Sequence, residues 1–263
     1  MYEAAVDKRA MYEGLSLFYD TLTQDVNYRA IARFVTSCVK RSRAYRDYMA
    51  RGERPILLDC GCGTGRLIAE LRGDFECIGL DASEEMLDAA RSGVPGDDVL
   101  WICQDMSKMD LYGSVTAAVS VTDSVNHLID DRKLAAFFAR AHNFLDPGGL
   151  LIFDVLTEER FAGGTQEYFA DLEELSCFWT GKYVPATGIC TYDISCFRPL
   201  APGSDQYIRT DDRVREKVRS EARLTELLRA AGFCRIKVFK GGSGGAPGGR
   251  TGAGRLYYVC EKE

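Results

Sequence analysis

No apolar run in this chain of 263 residues approaches the roughly 20 residues that span a bilayer; the longest, such as LLIFDV at 150–155, are short and interrupted. A membrane partner is therefore not expected. The amino terminus, MYEAAVDKRAMYEGL, lacks the basic start and apolar stretch of a secretory leader, and the expected location is cytoplasmic. Cationic excess is missing too. With 33 Lys and Arg against 39 Asp and Glu the net charge is −6, which argues against a general binder of polyanions. Histidine is scarce, with two in all, and no pair among the ten cysteines has the C-x-x-C spacing of a structural zinc site or redox couple. No metal is expected. Cys77, Cys103 and Cys260 lie within apolar runs and read as reduced, packed thiols.

What is present is ample material for a core: 46% hydrophobic residues and 11% aromatics. The length exceeds one typical domain of about 100–200 residues, so one core with an insertion is expected. A local exception to the acidic balance is KRSRAYRDYMARGER at 40–54, with six basic and two acidic residues. It reads as a solvated helix end whose cations suit the helix dipole, with nucleic-acid contact as the alternative.

Residues 10–50 carry apolar positions at helical spacing, among them Ile31, Phe34, Val35, Cys38 and Val39. From Pro55 the pattern changes to strand, turn and helix in alternation. ILLDC at 56–60 runs into GCGTG and then RLIAELR; ECIGLD at 76–81 precedes a helix over about 83–92; VLWICQD at 99–105 and SVTAAVSV at 114–121 are further strands. A helix over about 131–145 ends at DPGG, and LLIFDV is a fifth strand. This alternation predicts an α/β, doubly wound, Rossmann-like sheet that is mostly parallel. Over 165–217 it gives way to aromatics and two-residue alternation, which predicts antiparallel strands with a hairpin turn at Thr187 and Gly188. A last helix over about 220–231 precedes CRIKVF and RLYYVC. Between these two lies a connection, 241–254, with eight glycines in fourteen residues, expected to be a mobile loop. The expected organisation is an N-terminal helical part at 1–50, a core at 51–157 and 218–263, and an antiparallel β insertion at 158–217.

LDCGCGTGRL at 58–67 is the most informative stretch, because Gly61, Gly63 and Gly65 sit between a strand and a helix. Glycines there permit a sharp turn, close approach of a ligand to the backbone, and helix N–H groups aimed at anionic atoms. A dinucleotide fingerprint begun at Gly61 needs a small residue at position 66, which is Arg66. Asp59 before the turn suits a ligand with a positive amino group better than a pyrophosphate.

The stretch resembles the signature of class I S-adenosylmethionine-dependent methyltransferases, and further motifs follow in the family's order. GLDASEEMLDAAR at 79–91 is similar to its second element, which implies that Asp81 accepts from the ribose hydroxyls, with Ala82 and Met86 nearby. Asp105 and Met106 in CQDM match its adenine contacts. VTDSVNHL, beginning at Val121, resembles the element at the lip of the site. YEGLSLFYDTLTQDVNY is similar to the preface of a bacterial subgroup in which a Tyr-Asp pair, here Tyr19 and Asp20, lies over the cofactor. The resemblance thus implies a seven-stranded sheet, a cofactor site that also includes Cys62, and methyl transfer from S-adenosylmethionine to a small-molecule acceptor, with S-adenosylhomocysteine as product. An RNA methyltransferase and a noncatalytic cofactor-binding module are the alternatives. His127 and Asp123, at the carboxyl edge of the fourth strand, are the candidate acid-base or acceptor-binding residues; His127 has packing as its other reading. Trp179 and Tyr183 in the insertion read as acceptor contacts or as strand packing, Met86 as core or cofactor contact, and Asp105 as adenine ligand or turn cap. Oligomeric state and the methylated atom are not legible.

Overall fold

The computed structural model describes residues 19–172, 175–201, 203–248 and 254–263. The helical start is three helices rather than one: α1 (Tyr19–Leu22), α2 (Tyr28–Val39) and α3 (Arg43–Arg51). The breaks fall at side chains that satisfy helix N–H groups, since Asn27 accepts from the Ala30 amide and Ser42 from that of Tyr45. The expected helix over 10–18 lies outside the described residues.

Alternation then follows as β1 (Ile56–Cys60), α4 (Arg66–Leu71), β2 (Glu76–Asp81), α5 (Glu84–Gly93), β3 (Val99–Cys103), β4 (Val115–Ser120), α6 (Asp131–Phe144) and β5 (Leu145–Leu156). β5 starts directly at Leu145, paired with Val115, so the DPGG segment forms an irregularity inside the strand rather than a turn before it. Gly148 supplies the left-handed backbone there, at φ +75°. After β6 (Gln166–Leu172), β7 (Leu175–Val184), β8 (Ile189–Pro199) and β9 (Tyr207–Lys217) come α7 (Glu221–Ala230), β10 (Arg235–Lys240) and β11 (Arg255–Glu261).

Seven strands form one sheet in the order β10-β11-β5-β4-β1-β2-β3, with β11 antiparallel to both neighbours and the other pairs parallel. β4 is buried throughout and β5 almost so, as a sheet covered on both faces requires. One apolar layer lies between the sheet and α2 with α4; the other gathers Phe137, Phe138, Phe153 and Tyr258 beneath α6 and α7. The insertion is a separate antiparallel sheet, β6-β7-β8-β9, whose hairpin β7–β8 turns at Gly188 as expected. YFADLEELSCFWTGKYV, which reads as one run, is a hairpin of β6 and β7. The inner face of this sheet buries Cys177, Cys190, Tyr192, Ile194, Cys196 and Val214. Asn126, 1% exposed, joins the two sheets: its side chain donates to the Lys217 carbonyl at 3.0 Å and accepts from the Leu156 amide at 3.0 Å. Residues 249–253 of the Gly-rich connection, including Arg250, lie outside the described residues.

Candidate functional site

β1 delivers Asp59 and then the glycine turn to the carboxyl edge of the parallel strands, where ligands of such sheets bind. All three glycines have positive φ, but for different neighbours. A Cβ on Gly61 would stand 2.9 Å from the Ser124 side chain, and one on Gly65 would stand 2.8 Å from the Trp101 ring. A Cβ on Gly63 would meet nothing within 4 Å, so the turn is open there. The Gly61 and Cys62 amides donate to the Leu80 carbonyl at 2.7 and 3.1 Å, tying the turn to β2. The Gly63 amide donates to Asp81 Oδ2 at 2.8 Å, and the Ser83 amide to Oδ1 at 3.0 Å. Asp81 is thereby fixed at the rim with lone pairs remaining on both oxygens. Burial pushes its carboxyl up, against the pull of these backbone N–H bonds.

Asp59 is 2% exposed, and burial, then the nearby Asp81, push its carboxyl up to about 8. A carboxyl held in that state gains most from an arriving cation. From the other side, Asp20 Oδ1 accepts from the Thr64 hydroxyl at 2.6 Å and Oδ2 lies 3.5 Å from Arg66 Nη1. The Tyr19–Asp20 segment is fastened over the turn, and Tyr19 packs against the core of the inserted sheet.

The structure separates the remaining candidates. The Met106 Cε lies 3.2 Å from where a Gly61 Cβ would be, so Met106 packs on the turn. Val121 and Met86 are buried, while Ala82 is exposed at the rim. Asp105 caps a turn: Oδ1 accepts from the Ser107 amide and hydroxyl at 2.9 and 2.7 Å, and Oδ2 faces Lys133 Nζ at 3.2 Å. Tyr183 stacks on Phe161, with centroids 4.8 Å apart, and its hydroxyl reaches Glu158 at 3.4 Å, both packing contacts. Trp179 meets Tyr192 edge-on at 5.6 Å, and its indole N–H is buried with no partner among the described residues. His142 packs edge-on against Phe233 at 5.2 Å.

A second cluster forms where β4 ends. Thr122 and Asp123 both adopt left-handed backbone, at φ 55° and 61°, which costs on the order of 1 kcal/mol or more per residue. The conformation is held because both amides donate to Asp154, at 3.0 and 2.8 Å. Arg255 bridges the two carboxylates, with Nη1 2.8 Å from Asp154 Oδ1 and Nη2 2.7 Å from Asp123 Oδ1. Glu216 enters from β9, its side chain only 6% exposed, with Oε1 3.8 Å from His127 Nε2. One polar atom each from Asp123, His127 and Glu216 lie within 4.8 Å of one another. Burial opposes charge on Asp123, yet Arg255 holds its carboxyl below the ordinary range. Burial, then Asp123, push Glu216 far up, and burial lowers His127. The spacing admits a divalent cation, but the Arg255 guanidinium already on Asp123 repels one.

Asp123 and His127 are brought together as sequence reading expects. Glu216, Asp154 and Arg255 are missed by it, although Glu216 carries a signal, since it falls on the inward register of a strand where Val214 is also buried.

Residues 57–149 match the family model of a methyltransferase domain. A Geobacillus sp. (strain WCH70) protein named only as a candidate methyltransferase is 26% identical over 257 residues, covering 95% of this chain and 99% of its own. The dTDP-3-amino-3,4,6-trideoxy-alpha-D-glucopyranose N,N-dimethyltransferase of Streptomyces venezuelae is 34% identical over 155 residues, 59% of this chain and 58% of that one. The crystal structure of an S-adenosylmethionine-dependent methyltransferase from Clostridium acetobutylicum ATCC 824 shares the fold, with a TM-score of 0.75 at 22% identity over 95% of this chain and 98% of that one. The residues present fit the cofactor these matches imply: a buried carboxyl for an amino group, a fixed carboxylate for vicinal hydroxyls, and an open glycine between them. Residues 57–149 are thus a methyltransferase domain, and the chain as a whole shares the fold of an S-adenosylmethionine-dependent methyltransferase.

Proposed function

We propose that the enzyme methylates a small-molecule acceptor held between the inserted sheet and the carboxyl edge of the core, releasing S-adenosylhomocysteine. The observation that supports this is the meeting of Glu216, from the inserted sheet, with Asp123 and His127, from the core, beside the Gly61–Ser124 contact of the cofactor turn. An acceptor there faces the inner side of a sheet, with Trp179 and Tyr192 on that side, and is shut off from bulk water. Bound S-adenosylmethionine supplies an electrophilic methyl group on a sulfonium. On this reading Asp59 and Asp81 hold the donor, Met86, Met106 and Val121 line its site, the Tyr19–Asp20 segment covers it, and Asp123 with His127 orients the acceptor. Alignment of this kind supplies about 7–11 kcal/mol in favourable cases. The units follow: 51–157 and 218–263 as cofactor core, 158–217 as acceptor-selecting insertion, and 1–50 as helical cover. The Streptomyces venezuelae relative, named for an amino-sugar substrate, supports an acceptor of that size.

An acceptor screen with isotope-labelled S-adenosylmethionine, read by mass spectrometry of products, tests this reading. Replacing 158–217 by a short linker is expected to leave S-adenosylhomocysteine binding largely intact and to abolish transfer. Lost cofactor binding in a folded deletion would assign the insertion another role. One observation favours RNA instead, because Arg33 and Arg41 line a groove together with Gly244–Gly248. Salt-dependent tRNA affinity with label transfer to RNA would establish it.

A further inference from the structure

The Asp123 cluster is short of positive charge. Asp123, Asp154 and Glu216 bring three carboxyl groups, and Arg255 answers with one guanidinium, bonded to Asp123 and Asp154 but not to Glu216. Glu216 is 5% exposed and shares hydrogen bonds with Asp123 and with Tyr192 on the neighbouring strand β8. Its Oε2 is buried with no partner among the described residues. Two carboxyl groups in contact cannot both stay charged without a cation or a proton between them. The open side of the cluster, where Asp123 is 23% and His127 24% exposed, is the side from which a ligand arrives.

Resting on the reading above that the acceptor is a small molecule, we propose that it is an aliphatic amine, taken up as its ammonium ion by Asp123 and Glu216, and that Glu216 accepts the ammonium proton. An ammonium ion supplies the missing positive charge and N–H donors for the unpartnered Oε2. A hydroxyl or thiol acceptor brings no charge and leaves the pair to hold its proton by itself. The balance is closed. One proton passes from R–NH3+ to a Glu216 oxygen, baring the nitrogen lone pair. That pair forms the N–C bond as the C–S bond breaks with its electrons going to sulfur, and R–NH2+–CH3 then faces the Asp123 carboxylate and the neutral Glu216. Asp123 stays charged throughout because Arg255 holds it so.

The groups that set this titration come from every element around Glu216. Asp123 and His127 follow β4, Asp154 lies near the end of β5, Arg255 opens β11, and Tyr192 and Cys190 come from β8. The neutral state of Glu216 in the free enzyme follows from its burial against Asp123; as the ammonium ion binds, that proton leaves to solvent, and the carboxylate so formed accepts the ammonium proton before transfer.

Two measurements test the proposal on the full chain. The first screens matched pairs of small amines and their hydroxyl analogues, such as 2-aminocyclohexanol against cyclohexane-1,2-diol, with labelled S-adenosylmethionine. Methyl on nitrogen is expected, and in Glu216→Gln a loss of about 100-fold or more at pH 7 that shrinks as pH approaches the amine's own pKa. Methyl on oxygen or sulfur at comparable rates, or a loss that no pH restores, overturns it while leaving a small-molecule methyltransferase in place. The second needs no turnover. With S-adenosylhomocysteine bound, the infrared C=O stretch of a protonated carboxylic acid is expected at pH 7, absent in Glu216→Gln and altered by cyclohexylammonium chloride. A spectrum without that band, or one unchanged by the ammonium salt, overturns the proposal even if every acceptor screen fails.

Discussion

The glycine turn and the junction of the two sheets are built by opposite means. Around Asp59 and Asp81 the groups that matter are close in sequence and held by backbone: Gly61, Cys62 and Gly63 donate to Leu80 and Asp81 within a single β1–α4–β2 unit. Around Asp123 they come from β4, β5, β9 and β11 and are held by side-chain charge. A site of the first kind is local and leaves a motif. A site of the second kind exists only once two sheets have docked, so its failure modes are those of an interface.

The sharpest break of that comparison is Arg255→Leu. Removing the one guanidinium that, among the described residues, bridges Asp123 and Asp154 leaves a buried carboxylate facing a half-buried one, and a stability loss of about 3–5 kcal/mol is expected in denaturant unfolding. A loss below about 1 kcal/mol would show that the cluster is not a structural joint. Next, Asp81→Ala is expected to weaken S-adenosylmethionine and S-adenosylhomocysteine alike by about 2–4 kcal/mol, with folding retained, because the lost bonds are charge-assisted and confined to the region of the glycine turn. Unchanged affinity by calorimetry in the folded variant would remove Asp81 from the site.

Asn126→Ala tests the joint with a neutral group. It leaves the Leu156 amide and Lys217 carbonyl without their side-chain partner, and about 1–3 kcal/mol of stability is expected to go, with cofactor affinity little changed. Equal losses in stability and cofactor affinity would mean that the turn and the junction are not separable.

The smallest expected effect is a pH slope. Asp59 has a folded pKa of about 8, raised above the ordinary carboxyl value of about 4. Its protonated form is the one the fold favours, so its contribution to apo stability is present below about pH 4 and lost as pH rises through about 8. Binding a cationic amino group requires the charged form. Cofactor affinity is therefore expected to rise toward pH 8, by up to about tenfold per unit, until the ligand's α-amino group, with pKa about 7.7–8.0, loses its own proton. Calorimetry across pH 6–8 in Asp59→Asn, compared with the natural chain, reads the slope; an equal slope in both would assign it elsewhere.

The same division explains what was legible in the sequence. The strand alternation, the glycine turn with Asp59 and Asp81, and the insertion were readable because each depends on neighbours within about one βα unit. The break between α2 and α3 at Ser42 was hidden because apolar spacing runs through both helices and a single side-chain bond decides the end. Asp105 keeps both of its readings, since Oδ1 caps the turn at Ser107 while Oδ2, facing the exposed Lys133, retains a lone pair. Glu216 and Arg255 lie 93 and 132 residues from Asp123 in the chain. Only the register of β9 and the antiparallel placement of β11 beside β5 bring them there.

One buried amide grips the chain both where it leaves the core, at Leu156, and where it returns, at Lys217, so the segment between is a loop closed at its base. The entropy of closing such a loop grows only with the logarithm of its length, about 0.6 kcal/mol for each doubling. The core is thus expected to tolerate an inserted sheet of different length between these two points, with the glycine turn keeping its geometry.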